Sequence, residues 1–359
     1  MEAKYFLGAN TPAGFYSLYD ELIDPKTDDT LYILKGGPGC GKSSFMKKIG
    51  TALEEKGIKV EGIFCSADPD SLDGIYIPAL KTAYVDGTAP HVIEPRYPAV
   101  FEQYINLGEF YEPEALKENK AQVMELTQQY KALYSRAYAC LKAANGASKE
   151  LGSQVVDESL VAAILKRSRG IIGREIGKKY GNKAGLTRKR FLDAFTHLGH
   201  VNFFDSVLLW AKKIYHLDNE LGFSHYMLKE IEQGARTRGY DCIVCPSIKD
   251  PDKIEHLLIP QLSLAFLSSS HGREYQGPSY RHIRLDAMAD PQKLKALKPR
   301  LRFSKKVSTL LLEEGKNTLA QAKKLHDALE EIYNPHVDFD GVYDLAQDHI
   351  RMLLEKNRS

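Results

Sequence analysis

Apolar positions along the chain follow two main rhythms, and each predicts an element. Short apolar-rich runs at Leu31-Tyr32-Ile33-Leu34, Val60 to Cys65, Thr82 to Val85 and Cys242-Ile243-Val244-Cys245 read as strands. Ser44 to Lys56 carries helical spacing. A longer series, Leu116, Val123, Leu126, Tyr130, Leu133, Ala137 and Cys140, recurs mostly at steps of three and four. It predicts a helical arm over Glu114 to Ala144 with one packing seam. The seam is expected to bury on its own domain or on a second arm; a coiled coil with a partner is the alternative.

Set against itself, the chain repeats. Phe6 to Ile23 runs parallel to Phe191 to Leu208, with Phe6/Phe191, Leu7/Leu192, Ala9/Ala194, Thr11/Thr196, Gly14/Gly199 and Asp20/Asp205 identical. Asp68 to Tyr84 matches Asp250 to Phe266 at 7 of 17 positions. Ala139 to Leu165 pairs with Ala320 to Ala346, through Val156-Asp157 against Val337-Asp338, Ala147/Ala328, Glu150/Glu331 and Val161/Val342. A repeat of this length predicts two α/β domains in tandem, each with a helical arm. The first covers 1–165 with its arm at about 112–150, and the second covers 190–359 with an arm over Ser304 to Tyr333. Residues 166–189 would join them.

That junction holds the one strong charge asymmetry. Lys166 to Arg190 carries ten basic residues and one acid, Glu175, with Gly170, Gly173, Gly177, Gly181 and Gly185 interspersed. The glycines predict a mobile connection more than a stable helix. The charge suits a solvated linker, or an anion site for nucleic acid or a triphosphate. Tyr180 is its only aromatic, so a stacking platform for single strands is not expected. The whole chain, 49 Lys plus Arg against 47 Asp plus Glu over 359 residues, exerts no net pull on polyanions. No apolar run approaches bilayer length and the first residues do not resemble a secretion signal, so a cytoplasmic protein without membrane contact is expected. Five cysteines, Cys40, Cys65, Cys140, Cys242 and Cys245, form an odd, scattered set and read as reduced thiols. On one strand, Cys242 and Cys245 would face opposite sides and share no metal.

The chemistry concentrates in Gly36-Gly37-Pro38-Gly39-Cys40-Gly41-Lys42-Ser43, set between the strand at Leu31 and the helix beginning near Ser44. Glycines let the backbone curl its N–H groups around a β-phosphate at the positive end of a helix. Lys42 would neutralise the β/γ oxygens, Ser43 would offer its hydroxyl to Mg²⁺, and Ser44 would continue the phosphate contacts. The bound pair would then be ATP and Mg²⁺; no Asn-Lys-x-Asp string speaks for guanine. A metal carboxylate is also required. Asp86 ends an apolar run before Gly87-Thr88 and fits; Asp68 and Asp70 compete. In the second copy Leu217, Glu220 and Phe223 fall opposite Gly36, Gly39 and Lys42, and Ser268 falls opposite Asp86, so loop and carboxylate are missing together. Asp68-Pro69-Asp70 recurs as Asp250-Pro251-Asp252, which favours a structural role such as a helix cap. Asp86 is therefore the expected metal carboxylate and, with Lys42, the expected catalytic residue. The second half would be a degenerate copy, able to act as a platform or to offer an arginine from Arg167, Arg169, Arg174, Arg188 or Arg190.

With these residues in place, the chain resembles the P-loop NTPase superfamily. More closely, it resembles a bacterial family of duplicated P-loop proteins known only as ATPases. The resemblance rests on Gly36 to Ser43, Asp68-Pro69-Asp70-Ser71-Leu72-Asp73-Gly74 and Asp86-Gly87-Thr88-Ala89-Pro90-His91. It implies three-layer α/β/α domains, ATP binding and hydrolysis, with Lys42 and Ser43 carried over. Asp86 is followed by Gly87, not by a Glu that would activate water, leaving His91, Glu94 or another acid for that task. A nucleotide or small-molecule kinase is the alternative, since the loop is similar to nucleoside monophosphate kinase loops, although His91 stands where those enzymes carry Arg and only Arg96 could serve a lid. A nucleotide-gated switch that does not hydrolyse is the third class. The partner it would act on, protein or small molecule, is not legible.

Overall fold

In the computed structural model the described residues are 1, 3–24, 29–90, 92–148 and 151–358; His91 and Glu150, both named above, lie outside them. The first half runs β1 (Ala3–Phe6), β2 (Gly8–Thr11), β3 (Gly14–Ser17), β4 (Thr30–Lys35), α1 (Lys42–Glu54), β5 (Glu61–Phe64), β6 (Leu72–Ile77), β7 (Thr82–Asp86), β8 (Glu102–Asn106), α2 (Pro113–Glu118), α3 (Lys120–Gly146) and α4 (Glu158–Glu175). The second runs β9 (Thr187–Lys189), β10 (Asp193–Thr196), β11 (Gly199–Asn202), α5 (Phe204–Leu208), β12 (Lys213–Asp218), α6 (Ser224–Arg236), β13 (Cys242–Pro246), β14 (Ile254–Ile259), β15 (Leu264–Ser269), β16 (Arg281–Arg284), α7 (Pro291–Tyr333) and α8 (Phe339–Lys356).

The repeat in sequence is a repeat in topology. One six-stranded sheet has the order β1-β5-β6-β7-β4-β8, and the other has β9-β13-β14-β15-β12-β16, the same order strand for strand. In each, a single strand (β6 or β14) runs against the rest. The identities now have causes. Thr11 and Thr196 each donate a hydroxyl bond across a hairpin turn, to Gly14 O (2.7 Å) and Gly199 O (3.1 Å). Asp157 and Asp338 cap α4 and α8, accepting bonds from Leu160 N (2.9 Å) and Gly341 N (3.0 Å). Phe6 and Phe191, equivalent residues, exchange backbone hydrogen bonds of 2.9 Å in both directions, as residues on a two-fold axis do.

Each sheet packs one face on helices, and the helices come from both halves. Phe45, Met46, Ile49 and Leu53 of α1 share a core with Val342, Ala346, Ile350 and Leu353 of α8. Met227, Leu228, Ile231 and Ala235 of α6 share one with Leu160, Ile164, Ile171 and Ile172 of α4. The arms α3 and α7 lie antiparallel, with Tyr130 against His326 and Ser308 Oγ donating to Ala144 O (2.9 Å), so the expected seam does bury on the other arm. Each arm therefore delivers its last helix to the other half's sheet. His349 marks the crossing: its Nδ1 lies 2.9 Å from the Tyr84 hydroxyl of β7. The inner faces of both sheets close a shared core with the hairpins, Phe204 and Val207 of α5, and Ala137, Leu141 and Leu319 of the arms.

Three expectations change. Residues 166–189 are no linker, because Lys166 to Glu175 complete α4 and Thr187–Lys189 is the edge strand β9. Buried Ser168, Ile171 and Ile172 outweigh the glycines there. The boundary at 165 consequently cuts through a helix that belongs in space to the second sheet. The arms also differ from expectation: the first breaks at Asn119 into α2 and α3, and the second starts at Pro291, capped by Asp290. Finally, Asp68-Pro69-Asp70 caps no helix. It forms the turn between antiparallel β5 and β6, with Ser71 N on Asp68 O (2.9 Å) and Asp70 N on Asp68 Oδ1 (3.2 Å). Cys242 and Cys245 enter opposite cores, as alternation on β13 requires, and all five cysteines are free.

Candidate functional site

The loop from Gly36 to Gly41 leaves the end of β4, an interior strand between β7 and β8, and closes on the first turn of α1. Two of its residues, Gly39 (φ +70°) and Gly41 (φ +84°), are left-handed, a backbone only glycine adopts without strain. Pro38 turns its carbonyl to the Tyr111 hydroxyl (2.8 Å). Cys40 buries its side chain below the loop, where burial raises the thiol above its ordinary pKa, so it contributes backbone and packing only. Lys42 Nζ donates to Gly36 O (2.9 Å) and Gly37 O (2.8 Å) and lies 3.6 Å from Asp86 Oδ2. Asp86 ends β7, the parallel neighbour of β4, with Leu34 as its register partner. Its other oxygen accepts from Thr88 N (2.8 Å) and Thr88 Oγ1 (2.5 Å). Ser43 Oγ accepts from Leu72 N (2.9 Å), and Ser44 is exposed. The expected residues Gly36 to Ser43 and Asp86 thus converge at one mouth of the sheet.

The other candidates lie elsewhere. Asp68 is held by Ser71 and by Lys323 of α7 (3.4 Å); burial would raise its carboxyl, but these partners keep it below the ordinary value. Glu94 is exposed and tied to Lys35 (2.6 Å) and Tyr104. Arg96 pairs with Asp20 (2.7 Å). The arginines near the junction are engaged away from the loop: Arg169 with Glu230, Arg174 with Glu175 and Tyr215, Arg188 over Tyr76, and buried Arg190 on the carbonyls of Glu21 and Leu22.

Sequence reasoning missed what lies over the loop. The end of α7 reaches it from the second half: a Cβ at Gly39 would stand 2.4 Å from Asn334 Oδ1 and 3.4 Å from Glu330 O. Phe339 and Val342 of α8 approach Gly41 in the same way. No local signal marks Asn334; only the crossing of the last helix brings it there.

The second half holds the same turn in altered form. Strand registers place Leu217 opposite Leu34 and Ser268 opposite Asp86, while α6 begins with Ser224 opposite Lys42. The expected alignment of Leu217 with Gly36 and Phe223 with Lys42 is therefore corrected: this loop is one residue shorter. His225 takes the place of Ser43, and its Nδ1 accepts from Ile254 N (3.0 Å), the counterpart of Leu72. An acid fills the turn: Asp286 accepts from Glu220 N (2.8 Å) and Leu221 N (3.0 Å), the amides a phosphate would need. Burial raises this carboxyl above its ordinary value, against the pull of the two amides. Following β8 and β16 by register, the first-half residue at that position is Gly108, whose side-chain-free Cα borders Gly36.

Comparisons of the chain with protein-family models, with curated proteins and with solved structures gave no match, so the functional reading rests on this geometry.

Proposed function

We propose that the chain is an ATP-binding protein and a magnesium-dependent ATPase with a single nucleotide site in its first half. One observation carries the reading: a strand–loop–helix turn with two left-handed glycines sets Lys42 3.6 Å from Asp86, on the neighbouring parallel strand. Backbone amides at the start of α1 favour an anion, and the Lys42 ammonium, resting on two loop carbonyls, is available to phosphate oxygens. Ser43 and Asp86 fit a magnesium ion, since a hydroxyl and a carboxylate at one mouth are the hard oxygen donors it takes. When bound, the ion would supply charge neutralisation on the β and γ oxygens. The Leu72 amide fixes the Ser43 hydroxyl and leaves its second lone pair for that role.

The contact with α7 supports a link between nucleotide and arm. A helix C-terminus carries partial negative charge, and here it faces Gly39. A triphosphate in the loop would oppose it, so occupancy favours withdrawal of the arm. The same contact favours a nucleotide-gated switch as the second reading.

Phosphate release from Mg-ATP, measured beside nucleotide binding, tests the proposal. Lys42→Ala and Asp86→Ala are each expected to lower turnover roughly 100-fold or more, the scale of removing a charge that acts in the transition state. Turnover unchanged in both would refute the ATPase. Binding without turnover in the native protein would select the switch.

A further inference from the structure

Three groups of metal-capable side chains occur among the described residues: Asp193 with Glu255 and His256; His326 with Asp327 and Glu330; and His216 with Asp218 and His282. The first is buried, and Arg273 already bridges both carboxylates at 3.1 and 2.7 Å, so a cation is in place there. In the second, Lys323 occupies Asp327. The third has no such lysine or arginine on its carboxylate among the described residues.

We propose that His216, Asp218 and His282 form a binding site for one divalent transition-metal ion of the zinc class. Strand geometry assembles the set. His216 and Asp218 are two residues apart on β12 and so share a face, while His282 is the register partner of His216 on the parallel strand β16. The two imidazoles stack at 4.4 Å with 7° between planes, and one donor atom from each of the three residues lies within 4.8 Å of the others. His282 Nε2 sits 2.6 Å from Asp218 Oδ1. Opening that pair to about 3.3 Å, the separation of two ligands on a tetrahedral ion with bonds near 2 Å, is a small side-chain rotation. Ser269 Oγ, 2.7 Å from His216 Nε2, orients that ring from β15. Two neutral imidazoles and one carboxylate carry a net single negative charge and leave coordination positions open to water. That donor set selects zinc, cobalt or nickel over magnesium or calcium. The first half holds Ile33, Lys35 and Tyr104 at the equivalent positions, so the site belongs to the second half alone.

The test is titration of the metal-stripped full chain with Co²⁺, followed by its visible d–d absorption, and then displacement with Zn²⁺. One ion per chain is expected, with affinity falling at least tenfold in His282→Ala and in Asp218→Asn. His282 and Asp218 side chains are 45% and 35% exposed, so both variants should keep the native melting temperature in the metal-free state. No binding below about 100 μM, where a three-ligand site should be filled, would overturn the proposal. So would binding that survives both changes and disappears in His326→Ala. The outcome is independent of nucleotide and of Lys42.

Discussion

The two halves share one topology and differ at one mouth. In the first, a six-residue glycine loop lies beside Asp86 under the end of α7, with Gly108 at its base and no carboxylate on its amides among the described residues; in the second, a shorter loop closes its amides on Asp286. The strands, hairpins and capping aspartates persist through this change. Such a fold needs the turn at the end of β4 or β12 to satisfy its amides, and an anion from outside or a carboxylate from inside can do so. The comparison shows one scaffold completed in two ways: the second half has Ser224 where the first has Lys42, its turn is one residue shorter, and an acid occupies the cradle.

The comparison is broken most directly by moving the acid. Gly108→Asp should place a carboxylate at the base of the first loop and weaken ATP binding more than tenfold. Asp286→Gly should create no second site, because no lysine stands there; calorimetric titration of both variants checks this. The exchanged helices give the next effect. Leu353 and Ile172 occupy equivalent positions on α8 and α4, both buried. Alanine at either should cost about 2–5 kcal/mol. By hydrogen exchange, Leu353→Ala should loosen the first sheet and Ile172→Ala the second, the reverse of their order in the chain.

Acid distinguishes the halves as well. Burial holds the His200 imidazole down to about 3, where the first half has Phe15 in the same hairpin. Between its ordinary value of 6.5 and about 3, the unfolded chain takes up a proton that the folded chain refuses. Stability should therefore fall as pH falls through that range, by about 1.4 kcal/mol per unit from this group. Urea unfolding at pH 7 and pH 5 should show the loss, and His200→Phe should reduce it. The smallest effect is expected at Arg169, whose partner is Glu230 on α6. Arg169→Ala should leave ATP turnover within about twofold, as a surface pair remote from the loop requires.

Much of this was legible in the chain. Apolar runs placed the central strands, self-comparison revealed the duplication, and the order strand, glycine loop, helix located Gly36 to Ser43. The missing aspartate at Ser268 set Asp86 apart from Asp68 and Asp70, and it is Asp86 that lies beside Lys42. The crossing of α4 and α8 was hidden because amphipathic spacing shows that a helix buries a face and not which sheet receives it. For the same reason Asn334 over Gly39 left no trace, and Gly170 and Gly173 suggested a mobile linker where packing on α6 holds a helix. Asp286 was invisible because its partners lie 65 and 66 residues away.

The central claim is that one half takes nucleotide and the other satisfies the same turn from within. The most direct measurement is the stoichiometry of Mg-ATP binding to the full chain, by calorimetry, in native, Lys42→Ala and Asp286→Ala proteins. The account predicts one nucleotide per chain, lost with Lys42 and kept without Asp286. Two nucleotides per chain, or one that persists in Lys42→Ala, would contradict it.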